Sequence, residues 1–195
     1  MATVETRGER RRDPARREAL LEAAAASFGH GGYAATSMEE IATAAGVTKL
    51  IVYRHFEAKE NLYRAVLEQV FDRQVELFLA NIELGATGTT RALLAVAREW
   101  PDGFQLLWRH AAREPQFAEY ALHLRDVAVG AAREIVAPYV ASEMKEWAAQ
   151  TLFDNLVDAV LDWLDHGAAT HDDRFVAMET AALRATVAAW ANMSL

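Results

Sequence analysis

Cysteine is absent from the 195 residues, so neither a disulfide framework nor a thiolate metal site can form, and a reducing compartment suits the chain. Long apolar runs are absent as well. No segment approaches the roughly 18 uninterrupted apolar residues of a membrane-spanning helix, and the opening MATVETRGERRRDPARR lacks the apolar stretch of an export signal. A soluble, unexported, cytoplasmic protein with no membrane partner is expected. The phosphate-loop pattern G-x-x-x-x-G-K-[ST], the nucleophile elbow G-x-S-x-G and the zinc motif H-E-x-x-H are all missing, and strand patterns do not alternate with helical ones. These absences leave an all-α fold with no cofactor and no catalytic residue. An all-helical enzyme or a structural interaction module stands only as an alternative without residues to assign.

What is present is material for a core, with 52% apolar and 9% aromatic residues. The net charge of −8 is unevenly spread. Residues 1–64 hold ten Lys+Arg against nine Asp+Glu, a net of +1, and the remainder holds ten against nineteen, a net of −9. The acidity therefore belongs to the second part of the chain.

Residues 1–13 form a basic arm, and with Arg16 and Arg17 the start of the chain carries six arginines. They serve either as phosphate contacts or as a solvated tail. Asp13-Pro14 reads as a helix start, because Asp caps free amides and Pro is pre-set for the first helical position. Leu21, Ala24, Ala25 and Phe28 then share one helical face, and Gly29-His30-Gly31-Gly32 is expected to end the helix. Ser37 and Glu40 have capping-box spacing, and Met38, Ile41, Ala42 and Ala45 make the inner face of a second helix. Gly46 supplies a positive-φ helix end, and Val47 plugs the angle to a third helix capped by Thr48. In that helix Val52 and Phe56 face inward, and Lys49, Leu50, Tyr53 and Arg54 face outward. Two short helices at such spacing, at about residues 37–56, are the layout of a helix-turn-helix DNA reader. Thr48, Lys49, Leu50 and Ile51 sit where base edges are met. Lys49 suits guanine and Leu50 suits a thymine methyl. Tyr53, His55 and Lys59 lie where phosphate oxygens are reached.

The run from Leu20 to Leu62 resembles the DNA-binding domain of TetR-type transcriptional regulators. The likeness is carried by Leu21-Glu22-Ala23-Ala24, Phe28, Gly32-Tyr33, Thr36-Ser37, Ile41-Ala42, Ala45-Gly46-Val47, Val52-Tyr53-Arg54-His55-Phe56 and Lys59-Glu60. It implies phosphate contacts at Thr36, Ser37, Tyr53, His55 and Lys59, and base reading at Thr48 to Ile51. The chain departs from the family pattern at Leu50, where Gly or Pro is usual, at Ala58, where a short capping residue is usual, and at Glu39 or Glu40, where a basic residue is common.

The implied architecture is an N-terminal three-helix reader at 14–64, joined by a long helix to a C-terminal ligand-binding and dimerisation domain at 65–195. From Glu60 the apolar positions Leu62, Val66, Val70, Phe78 and Ile82 run on without a breaker before Gly85, and a further helix is expected from Arg91 to Glu99. Trp100, Phe104, Leu107, Trp108, Phe117, Tyr120 and Leu124 make an aromatic-rich stretch, read either as the lining of an effector pocket or as plain core. Arg109, Arg113, Arg125 and Arg133 either face an anionic effector or are solvated. A helix is expected over 116–137. Two final helices, 142–166 and 172–192, carry the stripes Leu152, Leu156, Ala159, Val160, Trp163 and Phe175, Met178, Ala182, Thr186, Ala189. In the family such a pair meets its two-fold mate; the alternative is that both stripes are consumed within one subunit. His166, His171, Asp162, Asp165, Asp172 and Asp173 cluster at the turn between them, but their spacing matches no metal-ligand motif and suits helix ends. The expected partners are double-stranded operator DNA, a second copy of the chain and a small-molecule effector.

Overall fold

The computed structural model describes residues 14–81 and 85–193, and the arginine-rich arm at 1–13 lies outside the described residues, as does Ile82. The described chain is all-α, without a strand: α1 (Pro14–Ala35), α2 (Met38–Ala44), α3 (Lys49–Phe56), α4 (Lys59–Asn81), α5 (Ala86–Glu99), α6 (Pro101–Gln105), α7 (Ala118–Val136), α8 (Lys145–His166) and α9 (Asp172–Met193). A π-helical turn at Leu106–His110 and a 3₁₀ turn at Ala111–Arg113 connect α6 to the approach to α7. Among the described residues no helix is long and apolar enough to cross a membrane.

The regular helix of α1 breaks within the glycine cluster, as expected, at Gly32 (φ 69°, ψ −179°), a backbone shape that essentially only glycine adopts, and a short helical turn continues to Ala35. One boundary differs from expectation. Helix α5 starts at Ala86 rather than near Arg91, its first turn tied down by the Thr90 hydroxyl, which donates to the Ala86 carbonyl at 2.9 Å.

Three apolar clusters hold the helices. The first joins Leu20, Leu21 and Phe28 of α1 to Ile41, Val52 and Phe56 of the reader, to Leu62, Val66 and Val70 of α4, and then to Leu106, Leu107 and Phe117. One continuous core therefore spans the division expected after residue 64, and α4 belongs to both parts. The second cluster packs α5 and α8 around Phe104 and Val176. The third packs α7 on α8 through Val129, Val136, Ala148 and Ala149. Trp108 packs against both the first and second clusters.

The α8–α9 turn is closed by a polar knot. The Asp172 carboxylate accepts from Arg98 Nε at 3.0 Å and Nη2 at 2.9 Å, and from Trp163 Nε1 at 2.7 Å. Burial raises the acid, but these donors outweigh it and hold Asp172 below its ordinary value. Its stabilisation is thus present above the usual carboxylate range and lost as pH falls through the depressed folded value. Asp172→Ala is expected to reduce unfolding free energy by about 2–3 kcal/mol near neutrality, measured by urea titration, with the difference from the parent shrinking in strong acid.

Candidate nucleic-acid interface

The reader is built from local devices that place one face of α3 in solvent. At the start of α2 the Ser37 amide donates to Glu40 Oε2 at 2.7 Å, and the Glu40 amide donates to Ser37 Oγ at 3.1 Å, completing the capping box. The backbone amide of Ser37 first, then its hydroxyl, hold Glu40 below the ordinary carboxylate value. At the other end Gly46 takes φ 64°; its amide donates to the Thr43 carbonyl at 3.1 Å, and Val47 donates to Ala42 at 2.9 Å. That is a Schellman closure, which needs a left-handed residue at the glycine. It turns the chain sharply into α3.

Within α3, Val52 and Phe56 are buried behind the helix, and Leu50 and Tyr53 are 64% and 40% exposed. Leu50, Tyr53 and Arg54 stand at i, i+3 and i+4 on one outward surface. Thr48 and Lys49 are exposed at its leading end; Ile51 and His55 are half-buried along its flank. Thr48 is the N-cap residue, but its side chain makes no capping bond. Lys49 Nζ stands 3.5 Å from Glu39 Oε2 of α2, an exposed pair of little energetic weight.

The helix ends in a strained turn. Glu57 has φ 60°, ψ −41°, and the Ala58 amide donates to the Phe56 carbonyl at 2.6 Å, a γ-turn with positive φ. Such conformations cost a non-glycine residue about 1–3 kcal/mol. Glu57→Gly is therefore expected to leave unfolding free energy unchanged or to raise it by up to about 1 kcal/mol, readable as a rise in thermal midpoint.

One expected phosphate contact, Thr36, is turned inward, and another, Lys59, is engaged by an aromatic ring. Thr36 is buried, and its hydroxyl donates to the carbonyls of Gly32 at 2.9 Å and Ser27 at 3.1 Å, so it ties the bent end of α1 rather than facing outward. Lys59 opens α4, but its ammonium lies over the Tyr33 ring, 4.4 Å from the centroid. Ser37, at the start of α2, remains exposed. Arg17 of α1 reaches over Phe56 at 5.6 Å.

Behind the reader lies a joint that sequence reading missed. Glu114 accepts the Tyr33 amide at 3.0 Å and the Tyr63 phenol at 2.6 Å, and His110 Nε2 lies 2.9 Å from the Gly29 carbonyl. Tyr63 is fully buried; burial first, then the Glu114 carboxylate, push its phenol far above the ordinary range, so it remains a donor. Phe28, Tyr33, Tyr63 and Phe117 pack ring against ring around this point, with centroids 4.5–5.1 Å apart.

The aromatic stretch proves to be largely core. Phe104, Leu107 and Phe117 are fully buried, and Trp100, Trp108, Tyr120 and Leu124 pack against the first cluster. A depression of about 670 Å³ lies instead between α1 and α4, lined by residues including Arg17, Glu68 and Arg73, and one of about 330 Å³ lies beside Tyr33, Arg113 and Glu114. Gln74 of α4 was also missed. It is buried, accepts Trp108 Nε1 at 3.2 Å through Oε1, and leaves Nε2 without a partner beside the Trp108–Phe153 ring pair. A polar residue interrupting the i+4 stripe of Leu62, Val66, Val70 and Phe78 was its signal. Arg109, Arg125 and Arg133 are tied to Asp165, Asp154 and Glu146, each at 2.8 Å, and Arg113 is exposed.

The two terminal stripes also divide. Leu156 and Val160 face α5 inside the subunit, Leu152 packs on the third cluster, and Trp163 stacks on Phe175 at 4.9 Å. Ala159 and Thr186 are half-buried, and Met178, Ala182 and Ala189 remain exposed on α9. Spacing identified apolar faces but not which helix would cover them.

Residues 20–66 match the family described as bacterial regulatory proteins, tetR family. The chain is 44% identical over 85 residues to the HTH-type transcriptional activator FasR of Mycolicibacterium smegmatis, a match taking in 37% of this chain and 38% of that one. It is 43% identical over 70 residues to the HTH-type transcriptional regulator RutR of Escherichia coli K12, covering 35% and 33%. The matched region spans about a third of these relatives' length. The whole fold is similar to that of a TetR-like transcriptional regulator from Rhodococcus sp. RHA1, with a TM-score of 0.66 at 20% identity over 92% of this chain and 95% of the other.

Proposed function

From the premise that this chain belongs to the tetR family of bacterial regulatory proteins, we propose that it is a one-component transcriptional repressor acting in the cytoplasm. It reads a palindromic operator as a homodimer and is released by a small-molecule effector. The observation that carries the reading is the outward face of α3, where Leu50, Tyr53 and Arg54 stand in solvent while Val52 and Phe56 hold the helix from behind. Base contacts fall to Thr48, Lys49, Leu50 and Ile51, and phosphate contacts to Ser37, Tyr53, Arg54 and His55. Lys59 joins them by swinging off Tyr33. The exposed Met178, Ala182 and Ala189 of α9 are the dimer face, since α8 spends Leu156 and Val160 internally. A two-fold dimer places two recognition helices in major grooves about 34 Å apart.

The effector enters beside Trp108, where the unpaired Gln74 amide can donate to a ligand acceptor. Trp108 lies in the same π turn as His110, so a ligand that shifts this turn loosens the His110–Gly29 contact and, four residues on, the Glu114 joint. It thereby favours a state in which the two heads no longer match the operator. FasR is named an activator; the reading proposed for this chain is repression relieved by the effector. The test is nuclease protection on DNA from beside the gene. Two protected half-sites related by a dyad, one helical turn apart, are expected. Protection of one half-site by a monomer contradicts the dimer, and none at all contradicts the reader.

A further inference from the structure

The leading turn of α3 offers two chemically opposite side chains to a base pair. Lys49 is a cation suited to guanine, and Leu50 is an apolar branch suited to the 5-methyl group of thymine. The structure separates them. Lys49 Nζ stands 3.5 Å from Glu39 Oε2 of α2, an exposed pair that engages its charge only weakly. Leu50 has no such engagement. It is 64% exposed and shares its surface with Tyr53 and Arg54, one turn further along. A leucine this exposed adds nothing to the core, where Val52 and Phe56 already close the helix from behind. Glu39 is itself exposed in the first turn of α2, where a carboxylate favours the helix dipole but opposes an incoming phosphate.

We propose that Leu50 is the specificity-determining residue of the leading turn and recognises a thymine methyl group. Glu39, through its own charge beside the approaching phosphates, lowers affinity for DNA of arbitrary sequence. The proposal rests on α3 being the recognition helix. Burying one methyl group is worth about fourfold in affinity, so a symmetric operator carries about fifteenfold across two half-sites. Glu39 acts on the other side of the balance, through phosphate charge and not through bases.

The experiment begins with selection of the full-length protein on duplexes with a randomised core, which yields a preferred sequence. Each thymine of that sequence is then replaced in turn, in both half-sites, by deoxyuridine, which keeps every Watson–Crick group and lacks only the methyl. One position is expected to lose about tenfold or more in affinity, and Leu50→Ala is expected to abolish that difference while circular dichroism shows an intact helix content. Equal affinity for thymine and uracil duplexes, or a difference that survives in Leu50→Ala, overturns the proposal. A selection that enriches no sequence overturns the reader itself, a distinguishable failure. Glu39→Gln supplies the second arm. Removing two carboxylates per dimer is expected to steepen the slope of log affinity against log salt and to tighten binding to scrambled duplexes. An unchanged slope and unchanged scrambled-sequence affinity overturn the role given to Glu39.

Discussion

Replacing Tyr53 by Ala is expected to weaken binding to the selected operator by about a hundredfold or more while leaving the protein folded. The phenol stands 40% exposed in the last half of α3 and belongs to none of the apolar clusters, so its removal opens no cavity. What is lost is a hydrogen bond to a phosphate oxygen, worth about 1.5–3 kcal/mol when one partner is charged. A two-fold dimer loses it twice. At about 1.4 kcal/mol per tenfold, the pair amounts to at least two orders of magnitude. Fluorescence anisotropy gives the affinity, and thermal unfolding and sedimentation give the controls. Full operator affinity in the variant would mean that α3 meets DNA by some other face.

Glu114→Ala is expected to have the largest effect on stability, a loss of about 3 kcal/mol or more. The carboxylate is the shared acceptor for the Tyr33 amide and the Tyr63 phenol. Its removal strands a fully buried hydroxyl, whose desolvation is then uncompensated. Glu114→Gln keeps one acceptor oxygen and is expected to lose less than half as much. Tyr63→Phe combined with Glu114→Ala should lose much less than the sum of the single changes, because the stranded donor is gone. Additive losses in denaturant titration would show that the two groups do not act together. Since the joint links the bent end of α1 to the approach to α7, Glu114→Gln should also blunt any effector response before it blunts DNA binding.

These two residues mark the range of what could be read beforehand. The outward placing of Tyr53 was legible because it depends on neighbours within one turn of helix, and helical period and capping chemistry are local. The capping box at Ser37 and the left-handed Gly46 were legible for the same reason. Glu114 was not. Its partners lie 81 and 51 residues away along the chain, and no spacing rule connects them. Thr36 shows the converse failure. A threonine beside a capping serine looks outward by position, but the bend at Gly32 brings the α1 carbonyls over its hydroxyl and turns it inward. The aromatic stretch from Trp100 to Leu124 was recognisable as apolar, but large rings serve a core as readily as a cavity. Packing divided them among clusters. The α8 and α9 stripes had the right period, and only tertiary contact reveals that α5 takes Leu156 and Val160. Gln74 was within reach, because an amide on an otherwise apolar i+4 stripe has to be buried with it.

Sequence-dependent DNA binding is the claim on which the rest depends, and one comparison tests it most directly. The affinity of the full-length protein for the selected duplex is measured beside its affinity for a scrambled duplex of equal length and composition, at stepped salt concentrations. The expected result is a preference of about 10³ or more for the selected sequence near physiological salt, with both affinities falling as salt rises. Equal affinities for the two duplexes at every salt concentration would contradict it.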